Sequence, residues 1–109
     1  MNNVLLTGRL TEKPELKMTA TGKSVCSFTL AVKDMDSTSF IRCVAWDKSA
    51  EYISRADKGD LVEVSGKIVT RSYEDKDGHK RTATEVSVRQ LSAYKTSRRE
   101  EVSDEDMPF

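Results

Sequence analysis

The sequence predicts an all-β fold: a five-stranded Greek-key barrel with one short helix between its third and fourth strands, followed by a flexible C-terminal tail. Three observations carry that expectation. Residues 3–10, 25–33, 39–46, 61–73 and 81–93 are rich in Val, Ile, Leu, Thr and aromatics and alternate with period two, the mark of half-buried strands. The alternation gives way to a helical pattern once, between Trp46 and Lys58, and the hydrophobic signal stops after Ala93. A chain of 109 residues has room for one core and not comfortably for two, and 33% charged against 37% hydrophobic residues suits a small, surface-rich domain.

Taken in order, the strand at 3–10 leads to a turn around Pro14-Glu15-Leu16. The strand at 25–33 puts Cys26, Phe28, Leu30 and Val32 on one side, apolar enough to be core. In 39–46, Phe40, Arg42, Val44 and Trp46 share one face and Ile41, Cys43 and Ala45 the other. Asp47 is expected to cap a helix over 48–56 that places Ala50 and Ile53 together, with Lys58-Gly59 as its stop. The strands at 61–73 and 81–93 form a hairpin around 75–80, where Asp77-Gly78 supplies the turn. Three strands, a helix and a closing hairpin fit a barrel of the OB type.

Chemistry is sparse. Cys26 and Cys43 sit in alternating strands without CxxC spacing, and His79, the single histidine, falls in the predicted turn; no metal site is expected, and both cysteines read as small, reduced core residues. No nucleophile with a neighbouring base, carboxylate pair or phosphate-cradling glycine loop is visible, so the reading is non-enzymatic, without a cofactor. An apolar run of about 18 residues and a signal-peptide core are both lacking, which makes a cytosolic address the default and a membrane partner unexpected.

Net charge is zero, but its distribution is not even. Residues 100–109 hold five acids and no base, leaving 18 basic against 13 acidic residues over 1–99, a body charge of +5. A basic body can track a phosphate backbone while an acidic tail competes for the same surface; a solvated charged surface without purpose is the plainer alternative. The face carrying Phe40, Arg42 and Trp46 is unsuited to a small core, because Arg42 would bring an unpaired charge into it. As an outward platform it makes sense, since bases stack on aromatic rings and every base has a ring face. Spacing alone leaves open whether Trp46 stacks or packs on the helix it precedes.

Motifs along Met1 to Ala93 resemble the bacterial and phage single-stranded DNA-binding protein family. They include Asn2-Asn3-Val4-Leu5-Leu6-Thr7-Gly8-Arg9-Leu10, the stretch from Phe40 to Glu51, Lys58-Gly59-Asp60-Leu61-Val62-Glu63-Val64-Ser65-Gly66-Lys67, Thr70-Arg71-Ser72-Tyr73 and Thr84-Glu85-Val86. The resemblance implies the same barrel, single-stranded DNA as ligand without strong sequence preference, and a homotetramer built as a dimer of dimers. It matches the family's stacking aromatics to Phe40, Trp46 and Tyr73 and basic positions of the same surface to Arg42 and Arg71, with Lys48 and Lys67 as further phosphate contacts. Only 33–39 stand where the family usually carries a long, often basic hairpin, so one arm is missing.

Family members also typically end in an acidic tip closing with Pro-Phe, and Asp104-Glu105-Asp106-Met107-Pro108-Phe109 matches it. The resemblance implies that this tip recruits replication and repair proteins into a pocket for Phe109 and the acids; a frayed acidic end is the plain alternative. The organisation expected is a DNA-binding domain over 1–94, a linker over 95–103 and the tip over 104–109. Ten flexible residues from Tyr94 to Ser103 reach under about 20 Å, so the tip would work close to its own barrel. Two other readings stay in view: a primosome-type OB-fold accessory protein, and a protein-interaction adaptor whose barrel no longer binds DNA.

Overall fold

Six strands and one helix occupy the computed structural model, which describes residues 1–95: β1 (Val4–Leu10), β2 (Glu15–Met18), β3 (Ser24–Asp34), β4 (Ser37–Trp46), α1 (Asp47–Ile53), β5 (Leu61–Glu74) and β6 (Lys80–Tyr94). The hydrogen-bonded order β1-β5-β6-β4-β3 closes on itself because β1 pairs with β3 as well as β5, giving the expected five-stranded barrel without open edges between those strands. β4 and β6 pair in parallel and the other ladders are antiparallel. The strand absent from the sequence reading is β2. Expected as a turn, it is a four-residue edge strand hydrogen-bonded to the start of β3, with Gly22 (φ 85°) in the connecting turn.

Closure demands close backbone approach at two glycines. β1 leaves β5 for β3 at Gly8 and Arg9, where a Cβ on Gly8 would stand 2.7 Å from the Ala31 carbonyl oxygen. At Gly66, opposite a bulge in β6, a Cβ would overlap the Ser87 carbonyl oxygen. The bulge also resets the alternation of β6. Arg89 is the extra residue, skipped in the pairing, so Val86 and Val88 face inward before it and Leu91 and Ala93 after it.

The core is the one the alternation predicts. Cys26, Phe28 and Leu30 of β3 and Cys43 and Ala45 of β4 are buried, joined by Leu10, Val62, Val64 and Val86. α1 closes one end of the barrel against β3, β4 and β6 through Ala50 and Ile53, both fully buried.

Two details of α1 differ from expectation. Asp47 does not cap it: the cap position belongs to Trp46, still extended because it pairs with Val25, and Asp47 makes the abrupt entry into the helix with φ 54°. Aspartate is among the few residues that tolerate this left-handed backbone. The helix also ends at Ile53 rather than at 56, since Arg55 and Ala56 donate to Tyr52 and Ile53, tightening the chain out of α-helical register. Gly59 (φ 89°) turns the chain into β5 instead, donating its N–H to the Leu10 carbonyl at 2.9 Å.

Candidate nucleic-acid interface

The outer surface of β3, β4, β6 and β5 collects the residues singled out in the sequence, and the register shows how. On β4 the side chains opposite the buried Cys43 and Ala45 are Phe40, Arg42, Val44 and Trp46. Val44 is partnered by Ser27 on β3 and by Ser87 on β6, and Ser87 by Lys67 on β5, so one row runs across four strands. Lys67, Val69, Arg71 and Tyr73 therefore share the face of Phe40, Arg42 and Trp46. Phe40 and Trp46, six residues apart on one strand, are separated by about 20 Å, several base stacks in length.

All three rings meet solvent: Phe40 is 68% exposed, Tyr73 44% and Trp46 42%. Trp46 borders a shallow groove with Thr19, Thr21, Lys23 and Asp47. The Tyr73 ring is covered on one face, because the Arg71 guanidinium carbon lies 5.4 Å from its centroid in a cation–π contact. Small neighbours, Ala31 beside Phe40 and Ala83 beside Arg71, keep the surface between the rings low.

The charge that Arg42 brings to this face is paired. Glu85 of β6, 5% exposed, accepts from Arg42 Nε at 2.9 Å through Oε2 and from Arg71 Nε at 3.0 Å through Oε1. Arg71 Nη2 adds a contact to Oε2 at 3.4 Å. Hydrogen bonding from Arg71 holds the Glu85 carboxyl below the usual glutamate range against the opposing effect of burial, and the same pairing raises the Arg71 guanidinium. Both arginine side chains remain about half exposed, at 51% and 54%, so their outer nitrogens face solvent.

Sequence reasoning missed Glu85 as part of the site. Its signal was a lone acid on the strand parity opposite to Val86, but only the register of β6 against both β4 and β5 reveals its partners. Lys17 was missed as well. It pairs with Val25, whose other partner is Trp46, which puts a cation in the Trp46 row across the unforeseen β2. Lys48 lies in the first turn of α1, after Trp46 and off the sheet. The tip residues Asp104, Glu105, Asp106, Met107, Pro108 and Phe109 lie outside the described residues.

Elsewhere the surface offers less. A depression lined by Leu5, Thr7, Glu63, Ser65, Gln90 and Ser92 lies on β1, β5 and β6, away from the rings. Asp75, Asp77 and His79 bring potential ligand atoms within 4.8 Å of one another. The Asp75 carboxylate is already engaged, accepting from the Asp77 and His79 N–H groups and from Arg81 at 2.9 Å, which is how the hairpin turn is held. Among the described residues no helix is long and apolar enough to cross a membrane.

Residues 1–94 match the Single-strand binding protein family. Single-stranded DNA-binding protein 3 of Clostridium acetobutylicum is 49% identical over 94 residues, covering 79% of this chain and 65% of that protein. The single-stranded DNA-binding protein of Enterococcus faecalis is 45% identical over 95 residues, covering 79% of this chain and 50% of its own length. The chain thus spans between half and two thirds of these relatives. Among solved structures, a deletion mutant of the single-stranded DNA binding protein from Thermus aquaticus superposes with a TM-score of 0.74 at 33% identity, over 86% of this chain and 41% of that one.

Proposed function

The chain belongs to the single-strand binding protein family, and we propose that its barrel binds single-stranded DNA with little sequence preference, without catalysing a reaction. Phe40, Trp46 and the open face of Tyr73 stack on bases, while Arg42, Arg71 and Lys67 contact phosphates, with Lys17 and Lys48 flanking Trp46. One observation carries the reading: three exposed rings and an arginine pair share a single outer sheet face, where a folded domain gains nothing from leaving them uncovered. Phosphate oxygens can reach the outward guanidinium nitrogens without displacing Glu85, and rings spaced along β4 suit a strand whose bases are unpaired.

In this reading the protein coats DNA exposed during replication, recombination and repair in the bacterial cytosol. Residues 104–109 recruit partner proteins through their acids and Phe109, and the barrel assembles as a homotetramer through the outer surface of β1, where Leu5 is exposed. Titration of Trp46 fluorescence with oligo(dT) at two salt concentrations tests the core of it. Strong quenching with affinity falling steeply with salt is expected. Unchanged emission at saturating oligonucleotide would overturn stacking and bring the adaptor reading forward.

A further inference from the structure

Glu85 is out of place on a surface that meets a polyanion. A carboxylate at the centre of a phosphate-contacting face repels the ligand and cancels one of the positive charges beside it. Yet it is buried, both its oxygens are occupied, and it joins arginines from β4 and β5, strands that flank β6 on opposite sides. Two guanidinium groups gathered at one site repel each other unless an anion lies between them. Each is gripped on its Nε edge, Arg71 with a second contact through Nη2, and among the described residues the Arg42 terminal nitrogens have no hydrogen bond. Arg71 is at the same time laid against the Tyr73 ring.

We propose that Glu85 is a positioning residue for DNA binding, locking Arg42 and Arg71 into one preorganised phosphate-binding unit of net charge +1 and setting Arg71 against Tyr73. The inference rests on the ssDNA-binding reading and adds to it a residue that does not touch DNA. The carboxylate lowers the number of counterions released on binding by one, and it orders two long side chains before the ligand arrives. These effects oppose each other at low salt and part company at high salt, where charge is screened and ordering is not.

Glu85→Gln, isosteric and neutral, separates them once thermal melting has shown the variant folded. In oligo(dT) titrations from about 0.05 to 0.5 M salt, the log–log slope should steepen by about 0.7, the single-strand value for one charge. The ratio of variant to parent affinity then falls about fivefold over that decade, the variant binding tighter at the low end and weaker at the high end. Slopes that stay parallel would overturn the proposal, as would a variant that binds better throughout. Should the variant not fold, Arg71→Lys decides: it keeps the charge but loses the two-nitrogen grip. The slope should hold while affinity drops several-fold at every salt, and parent-like affinity would overturn the proposal. Failure of the parent to bind oligo(dT) would instead remove the underlying reading, so the two failures are distinct.

Discussion

Phe40→Ala is the cleanest test of the proposed stacking surface, because Phe40 is 68% exposed and its cross-strand partner is only Ala31. About a third of the residue is covered; taking roughly 200 Å² as what an aromatic side chain can bury, that is about 70 Å², worth at most about 1.8 kcal/mol to folding at 25 cal/mol per Å². A domain stable by about 5 to 15 kcal/mol remains folded after that loss. Losing a base stack costs about 1 to 3 kcal/mol, or roughly 5- to 150-fold in Kd. Trp46, the single tryptophan, stays in place as the reporter. Oligo(dT) titrations followed by its emission should therefore show the weaker Kd with the saturating quench retained, and a urea melt should show a small shift. A Kd within twofold of the parent would refute the reasoning, since it would mean that an uncovered ring on the platform meets no base.

Trp46→Ala should behave differently, because more than half of that residue is covered; it should lose stability as well as DNA affinity, read by circular dichroism melts beside a filter-binding assay. Gly66→Ala forces a Cβ into the Ser87 carbonyl at the bulge and should destabilise by about 1 to 3 kcal/mol in urea, and parent-like stability would show that β6 can yield there. Burial pushes the Cys43 thiol up to about 12, so thiol reagents at pH 8 should leave it unmodified until denaturant is added. Arg71 and Arg42 hold Glu85 below the ordinary glutamate value of 4.5, so its ionised form stabilises the folded state above that value, and the stability is lost as pH falls through the lower folded value. Acid melts should lose part of their slope below pH 4.5 in Glu85→Gln, and an unchanged acid limb would contradict the pairing.

What the sequence determined by itself is what depends on neighbours in the chain. Period-two alternation is a local property of an extended backbone, so it located the barrel strands, sorted Cys26, Phe28 and Leu30 into the core, and turned Phe40, Arg42 and Trp46 outward together. The turn at Asp77-Gly78 was legible for the same reason: Gly78 supplies a positive φ and Asp75 gathers nearby N–H groups. Pairing between distant segments left no such trace. β2 consists of four residues that all face solvent to some degree, too short and too exposed to alternate visibly, and it exists because β3 offers it a partner. The bulge at Arg89, opposite Ser65 and Gly66, resets the faces of β6 and shows only when β5 and β6 are laid side by side. Arg42 and Glu85 are 43 residues apart and meet because β4 and β6 run parallel in one register. That Phe40, Arg42 and Trp46 share an outer face could be read from the sequence, but the carboxylate that joins Arg42 to Arg71 was decided by strand register, since side chains from non-adjacent segments become neighbours only when the barrel closes.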